Sequence, residues 1–155
     1  MDKYEQKLKQ FIKENNIIAE HLSFEKSCHS VQDAINTTGA NPNEFIKNIC
    51  MIDYDNNLII AIVDGHDRAS TKRVKKALQL EHNPKIAIPD EILKKTGFPC
   101  GGTPSFGCNA IYLIDPKVME KEKIYSGGGS TKSLVKLTTK EMKKANNGKI
   151  VRVKK

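Results

Sequence analysis

The chain has 155 residues, of which 38% are hydrophobic and 28% are charged. A chain of this length forms about one domain around one hydrophobic core, so we expect a single domain over residues 1–155. No run approaches the ~20 consecutive apolar residues of a membrane-spanning helix, which excludes that class of protein. The first seven residues lack the apolar segment of a secretory signal, so we expect a cytoplasmic protein with reduced thiols.

The net charge of +8 is distributed unevenly along the chain. Residues 1–116 carry 14 basic and 15 acidic side chains, whereas residues 117–155 carry 12 basic and 3 acidic ones. Such a concentration of positive charge favours a polyanionic partner, above all a nucleic acid, because each neutralised phosphate releases counterions. A lysine-rich surface that serves only solubility is the alternative.

The N-terminal segment is predicted to form a helix followed by a short strand. Within residues 1–16, apolar side chains recur at helical spacing with charged residues between them. Residues 18–24 alternate in polarity, which predicts a strand whose two faces are occupied by His21 and Leu22 respectively.

A second helix and a β-hairpin are predicted to follow. Ser30 can accept hydrogen bonds from the first helical N–H groups, and Gly39 is a typical C-terminal cap, so we predict a helix between them. Residues 45–52 and 58–63 are apolar runs around an Asp/Asn-rich turn, as in an antiparallel hairpin. The second run does not alternate, which predicts a central strand buried on both faces.

The second half of the chain is predicted to alternate short helices and strands around the glycine- and proline-rich loop 98–107. Loops of this kind often have functional roles. Thr138 and Glu141 have the spacing of a capping box for the last helix. The predicted helices are residues 70–79, 89–96 and 138–148, and the predicted strands are residues 85–88, 110–114, 123–125, 133–137 and 149–153.

The common catalytic and phosphate-binding motifs are not found, which leaves one strand lysine and several glycine-rich turns as candidates. Lys47 lies among apolar residues, where a cation needs an anion or water. It is either a surface lysine or a group that faces a ligand. The pair Gly101-Gly102 can bring main-chain N–H groups close to a carbonyl or phosphate, because no Cβ obstructs the approach; alternatively, it forms only a turn.

Other candidate residues have two interpretations each. Gly127–Gly129 either passes close to a sugar or base, or only connects two strands of a hairpin. His21 either lines a pocket or is an exposed histidine. His29 is assigned to the N-terminus of a helix, where a neutral imidazole is common.

The cysteines have no C-x-x-C spacing, so we expect neither a disulfide framework nor a metal site. Cys50 lies in an apolar run and is predicted to be a small core residue. The four cysteines are Cys28, Cys50, Cys100 and Cys108.

In their order and spacing, these motifs resemble those of the YbaK/prolyl-tRNA synthetase-associated editing domain family. The resemblance covers residues 17–153, nearly the whole chain. The segments on which it rests are His29–Ile35, the strand that contains Lys47, Val63–Gly65, Thr96–Gly97, Gly101–Gly107, Ile114–Asp115 and Tyr125–Gly129.

The resemblance implies an α/β (α+β) domain with a mixed, barrel-like sheet flanked by helices. It implies hydrolysis of the 3′-terminal ester of a mischarged aminoacyl-tRNA, with Lys47 in the substrate pocket and the Gly101 and Gly102 amides at the ester. The implied partners are aminoacyl-tRNA and an aminoacyl-tRNA synthetase, without a membrane, a cofactor or a metal. The remaining candidates for substrate binding are His21, Thr103, Asp115, Gly127, Gly128, Gly129 and Ser130.

One loop position departs from the family pattern. The family commonly has proline where this chain has Ser105, whereas this chain has a proline one position earlier, Pro104. A shifted proline changes which residue has its φ angle fixed and can alter the orientation of the loop amides.

An aminoacyl ester is already activated, so positioning and polarisation of its carbonyl are sufficient for hydrolysis without a catalytic triad. We therefore predict an aminoacyl-tRNA deacylase whose nucleophile is water, a substrate hydroxyl or a substrate thiol. The alternative is a non-catalytic module that binds tRNA or a synthetase. A general nucleic-acid-binding protein is a third hypothesis, which only the charge supports, since the sequence lacks the aromatic platform of single-strand binders.

Overall fold

A five-stranded and a three-stranded β-sheet form the framework of residues 2–155, which are the residues that the computed structural model describes. The strands are β1 (Glu20–Ser23), β2 (Ile46–Ile52), β3 (Leu58–Asp64), β4 (Lys85–Ile86), β5 (Ile111–Ile114), β6 (Lys123–Gly127), β7 (Ser133–Thr138) and β8 (Lys149–Ile150). The helices are α1 (Lys3–Glu14), α2 (Val31–Thr38), α3 (Thr71–Leu78), α4 (Pro89–Thr96), α5 (Pro116–Met119) and α6 (Thr139–Asn146), and a short 3-10 helix spans Pro42–Glu44. No helix among these residues has the length and apolar character needed to cross a bilayer.

The larger sheet has the strand order β4-β2-β3-β5-β8. The predicted hairpin is confirmed, because β2 and β3 pair antiparallel from Ile46–Asp64 to Ile52–Leu58. Every residue of β3 is buried, as the absence of alternation predicts. Strands β5 and β8 extend the sheet in parallel, so the sheet is mixed.

The smaller sheet has the order β1-β7-β6 and is antiparallel throughout. An isolated bridge between Phe45, before β2, and Tyr125 of β6 joins it to the larger sheet, and the two rings stack with their centroids 4.9 Å apart. The mixed α/β class is therefore confirmed. Within residues 2–155 the strands form two bridged sheets, and a closed barrel is not shown.

Local capping signals define most of the helix ends. The hydroxyl of Ser30 accepts a hydrogen bond at the start of α2, and Gly39 ends that helix in the left-handed conformation. Thr138 caps α6 by accepting a hydrogen bond from the Glu141 N–H. In a capping box the Glu141 carboxylate would bind the Thr138 N–H. Here it accepts a hydrogen bond from the Ile18 N–H at 3.0 Å, so it fixes the segment between α1 and β1.

The core lies on both faces of the larger sheet. One face packs against the smaller sheet and α1, with residues such as Leu8, Ile60 and Phe106 fully buried. The other face packs against α3 through a smaller cluster that includes Val74. Cys50 is 3% exposed, and its desolvation raises the pKa of the thiol to about 12, so it remains protonated near neutral pH. This confirms Cys50 as a core residue.

Helix α1 is held against the turn between β6 and β7. The buried Glu5 carboxylate accepts hydrogen bonds from the hydroxyl of Ser23 and, at 2.8 Å, from that of Ser130. A Cβ at Gly129 would lie 2.7 Å from the carbonyl oxygen of Tyr4, so this helix approaches the turn at main-chain distance. The N-terminal helix is thus packed against the rest of the fold.

Asp115 fixes the C-terminal segment of the chain. Its carboxylate is 2% exposed, and one oxygen accepts a hydrogen bond from the Lys117 N–H at the start of α5. The other oxygen accepts hydrogen bonds from the N–H groups of Val153 and Lys154, at 3.0 and 3.1 Å. Both oxygens of Asp115 therefore bind main-chain N–H groups and hold the C-terminal segment in place.

Asp115→Ala is expected to lower the free energy of unfolding by about 3 kcal/mol, because it leaves three main-chain donors without their charged acceptor. Denaturant titration measures this effect. Asp53→Ala is the matched control, since Asp53 also accepts three hydrogen bonds but is more exposed. Equal losses in the two variants would contradict the structural role of Asp115.

Candidate active site

A cavity of about 290 Å³ lies where the start of α2, the start of β2 and the end of β6 meet the loop that follows α4. Four of the residues predicted from the sequence line it, namely Lys47, Gly101, Thr103 and Gly127. These residues come from three separate segments of the chain. The fold therefore brings together the strand lysine and part of each glycine-rich segment.

Most of the cavity wall is apolar, and polar groups border it on the side of β2 and the loop. Val31, Ala34, Phe45, Tyr125 and Leu134 are among its apolar lining residues. Polar lining residues include Lys47, Asn48, Thr103 and Ser126. An apolar recess with a few convergent polar groups is the usual form of a site for a small organic group.

Lys47 is half-buried at the edge of this cavity. Its ammonium group donates a hydrogen bond to the main-chain oxygen of Asp67, in the loop after β3, at 3.0 Å. Strand alternation places the side chains of Lys47 and Asn48 on opposite faces of β2, yet both residues line the cavity. A single carbonyl acceptor leaves two ammonium donors available, so this lysine can also bind an anionic or carbonyl group.

Gly101 occupies a position that only glycine tolerates. Its φ of +88° lies in the left-handed region, and a Cβ would come within 2.5 Å of the His29 Nδ1 atom. The imidazole of His29 therefore lies against Gly101 and lines the same cavity. The sequence interpretation assigned His29 only to a helix N-terminus, because nothing in the local pattern indicates a contact with a loop 72 positions further along the chain.

Gly102 does not have the predicted free amide. Its N–H donates to the Pro99 carbonyl at 3.0 Å, and its own carbonyl accepts a hydrogen bond from the Gly129 N–H at 2.8 Å. The prediction that Gly102 presents an amide to a ligand is therefore corrected. The N–H groups of Gly101 and Thr103, like that of Cys100, form no hydrogen bond with another residue in 2–155, and all three residues line the cavity.

A buried hydrogen-bond network joins the loop to both sheets. The Asn48 amide donates to the Thr103 carbonyl at 2.9 Å and to the Ser126 hydroxyl at 3.1 Å. The Ser105 hydroxyl donates to the Asn48 side-chain oxygen at 2.8 Å and lies 2.5 Å from the Ser126 hydroxyl. The serine that replaces the family's proline is thus a connecting group of this network. The sequence interpretation missed Asn48, although a polar residue beside Lys47 in an apolar strand was a usable signal.

Ser105→Ala is expected to lower the free energy of unfolding by about 2 kcal/mol, because Asn48 and Ser126 lose a buried partner. The network predicts that Asn48→Ala and Ser105→Ala are not additive, with a coupling energy of about 1 kcal/mol in a double-mutant cycle. Denaturant unfolding of the two single variants and the double variant measures it. Additive losses would show that the two side chains act independently.

The Gly127–Gly129 run permits close packing of main chain on main chain. A Cβ at Gly127 would lie 2.1 Å from the Thr103 carbonyl oxygen, and one at Gly128 would lie 2.4 Å from the Leu134 nitrogen. Gly127 therefore lets the loop approach β6, and Gly128 lets the two ends of the β6–β7 turn approach each other. This packing favours the hairpin interpretation for Gly128 and Gly129, whereas Gly127 also borders the cavity.

Several predicted substrate-binding residues lie outside the cavity lining. His21 borders a separate recess beside α1, where its Nε2 atom lies 2.8 Å from the Gly128 carbonyl oxygen. Ser130 is bound to Glu5, and Asp115 to the C-terminal segment, as described above. His21, Ser130 and Asp115 thus each have a partner within the protein. Within the part of the chain that the structure describes, no three His, Cys, Asp or Glu side chains are arranged to hold a metal ion.

The fold is that of a mixed α/β domain. Its cavity can hold a small organic group beside a loop whose main-chain N–H groups are available as donors. The family model "Aminoacyl-tRNA editing domain" matches residues 25–145. The chain therefore belongs to the aminoacyl-tRNA editing domain family, which confirms the resemblance inferred from the motifs.

The individual proteins that resemble this chain have low sequence identity to it. The chain is 24% identical over 144 residues to the uncharacterized protein YwhH of Bacillus subtilis (strain 168), covering 91% of this chain and 87% of that protein. A solved structure described as a candidate trans-editing enzyme for prolyl-tRNA synthetase superposes with a TM-score of 0.89 at 17% identity, covering 100% and 99% of the two chains. The crystal structure of protein APE2540 gives a TM-score of 0.87 at 22% identity, covering 96% and 99%. These structural likenesses show a shared fold.

Proposed function

We propose that the chain is an aminoacyl-tRNA deacylase, which hydrolyses the ester between a mismatched amino acid and the 3′ end of its tRNA. The single observation that supports this best is the cavity that unites Lys47 with the available amides of Gly101 and Thr103. Membership of the editing-domain family supports the same substrate class. The proposal includes a role in translation quality control.

In the proposed reaction, the aminoacyl side chain occupies the apolar recess and the ester carbonyl faces the loop. Water, a substrate hydroxyl or a substrate thiol adds to the carbonyl carbon, and negative charge develops on the carbonyl oxygen. The Gly101 and Thr103 N–H groups donate hydrogen bonds to this oxygen, which stabilises the transition state. As the carbon–oxygen bond to the ribose breaks, the ribose oxygen takes up the proton that the nucleophile loses. Attack by water releases the free amino acid, whereas attack by a hydroxyl or thiol of the amino acid releases a cyclic ester or thioester that water then hydrolyses.

Lys47 is assigned to the anionic part of the substrate. Its ammonium group exchanges the Asp67 carbonyl, which it binds in the free protein, for the terminal phosphate or the ester carbonyl. A lysine is suited to this exchange because its flexible stem carries a point charge with three donors. No side-chain base is required, since the ester is already activated and the site supplies orientation.

The second candidate function is a non-catalytic module that binds tRNA or a synthetase. The bond between the Lys47 ammonium and the Asp67 carbonyl favours it, because a lysine with this partner can have a purely structural role. The same cavity would then hold the 3′ end without hydrolysis.

A deacylation panel separates the two functions. Substoichiometric protein is mixed with tRNAs that carry cysteine, alanine, serine or threonine, and ester hydrolysis is followed over time. A deacylase releases many amino acids per protein molecule from at least one of these esters. Release at the rate of the protein-free control for all four would overturn the proposed activity and leave the binding module.

A further inference from the structure

One basic part of the surface is assembled from two segments that are far apart in the sequence. The first consists of residues 68–79, which contain five basic and no acidic side chains. These are Arg68, Lys72, Arg73, Lys75 and Lys76, and none of them forms an ion pair with another residue in 2–155. The apolar side of α3 is already buried against the sheet through Val74. Its cations therefore face outward without counter-charges.

The second segment is the C-terminal one, residues 149–155, which contains four basic and no acidic side chains. One of the four, Lys154, forms an ion pair with Asp67 at 3.9 Å. Hydrogen bonds fix it beside the first segment: the Ser70 N–H donates to the Val153 carbonyl at 2.7 Å, and the Lys155 N–H donates to the Arg68 carbonyl at 2.8 Å. The Lys149 ammonium donates to the Ala77 carbonyl at 3.3 Å. Residues 68–79 and 149–155 thus form one surface, here named the basic face.

Two other lysines of the C-terminal quarter do not add free positive charge to the surface. Lys117 and Lys121 form ion pairs with Asp64, at the end of β3. Burial alone would raise the pKa of Asp64, but the hydrogen bond from Lys121 and the charges of both lysines lower it below its ordinary value. Asp64 is therefore ionised at neutral pH and neutralises part of the charge excess seen in the sequence.

The basic face begins at the edge of the candidate active site. Lys47, which lines the cavity, donates to the carbonyl of Asp67, and Arg68 is the next residue. A groove of about 500 Å³ runs along α3 between Lys72, Lys76 and their neighbours. The contact between Lys47 and Asp67 therefore connects the edge of the cavity to the first residue of the basic face.

We infer that the basic face binds the phosphate backbone of the RNA whose aminoacylated 3′ end occupies the cavity. This inference rests on the proposed function and adds the surface that holds the body of the substrate. Unpaired cations on a rigid surface bind phosphates with release of counterions, so the interaction is salt-dependent. A membrane fits less well, because a membrane-bound helix inserts its apolar side and that of α3 is already covered.

The test uses uncharged tRNA and the full-length protein. Lys72→Gln/Lys76→Gln removes two exposed charges one helical turn apart on α3. The matched control is Lys9→Gln/Lys13→Gln, which removes two exposed lysines at the same spacing on α1. Dissociation constants are measured by fluorescence anisotropy over a series of salt concentrations.

The α3 variant is expected to bind tRNA about tenfold more weakly, and its logarithmic salt dependence is expected to fall by about 2, one for each lost phosphate contact. The α1 variant is expected to keep both values. Equal effects in the two variants would overturn the inference. Unchanged tRNA binding by the α3 variant would also overturn the inference. This includes the result that the variant loses binding to anionic phosphatidylserine vesicles but keeps its binding to tRNA.

A short substrate separates this inference from the proposed function. A 3′-aminoacyl adenosine ester has no acceptor stem, so the α3 variant is expected to hydrolyse it at the wild-type rate. If the wild-type protein hydrolyses neither this ester nor charged tRNA, the proposed activity fails, and the tRNA-binding measurement still decides the role of the basic face. A loss of hydrolysis of the short ester in the α3 variant would contradict a role restricted to the RNA backbone.

Discussion

Replacing Lys47 with methionine is expected to lower the single-turnover rate of deacylation about 100-fold, the usual effect of removing one group that stabilises transition-state charge. Methionine retains an apolar stem of similar length and removes the ammonium group, so the cavity keeps its shape. Rapid-quench measurement with excess protein over charged tRNA determines this rate. The free energy of unfolding is measured in parallel.

Lys95→Met is the matched control for this change. Lys95 is also half-buried, and its ammonium group also donates to one main-chain carbonyl, that of Asn56, but it does not line the cavity. Its replacement is expected to leave the deacylation rate unchanged. A Lys47→Met protein that deacylates at the wild-type rate would remove Lys47 from the reaction and assign it to the structural contact with Asp67.

Gly127→Ala is expected to have the second large effect, because the new methyl group would lie 2.1 Å from the Thr103 carbonyl oxygen. The loop must move away from β6, which is expected to lower the free energy of unfolding by about 3 kcal/mol. The displaced loop is also expected to lower the deacylation rate of the folded protein about 100-fold, since misplacement by about 1 Å has effects of this size.

Gly39→Ala separates steric contact from backbone strain. Gly39 has a φ of +67°, but a Cβ there would have no atom within 4 Å, so its replacement introduces strain alone. We expect a loss of about 1 kcal/mol in unfolding free energy and an unchanged deacylation rate. If Gly127→Ala behaves like Gly39→Ala in both assays, the close approach of loop and strand does not matter for the site.

Local signals in the sequence were sufficient for five of the six helices, α5 being missed, and for the central hairpin. A cap such as Ser30 or Gly39 acts within one turn of its own helix, so its effect can be predicted without knowledge of the fold. The uninterrupted apolar run of β3 likewise indicates burial on both faces. The arrangement of eight strands in two sheets was not predictable in this way, because it depends on pairings between distant segments.

In the candidate site, too, some residues could be identified from local sequence and others depend on contacts between distant segments. Lys47 and Gly101 stood out because a cation in an apolar strand and a glycine pair are locally unusual. His29 and Ser105 acquire their contacts only when α2, β2 and the loop meet, so no local pattern distinguishes them. For Asp115, the sequence does not distinguish a carboxylate that binds main-chain N–H groups from one that binds a ligand, because both have the same sequence signature.

The basic surface illustrates how charge counts along the chain can mislead. The first 116 residues are almost neutral in sum, which conceals the five unpaired cations of residues 68–79. Conversely, part of the C-terminal excess is neutralised by Asp64. Only the three-dimensional arrangement shows which cations remain available for a polyanion.

The most direct test of the central claim observes the loop amides while a substrate analogue is bound. A 3′-aminoacylamino adenosine, whose amide bond replaces the ester and resists hydrolysis, is titrated into ¹⁵N-labelled protein, and main-chain amide shifts are followed by NMR. We predict that the Gly101 and Thr103 amides shift strongly at saturation, and that the Gly102 amide, which is bound to Pro99, shifts less. Saturating shifts confined to residues outside the cavity, with Gly101 and Thr103 unchanged, would contradict the proposed site.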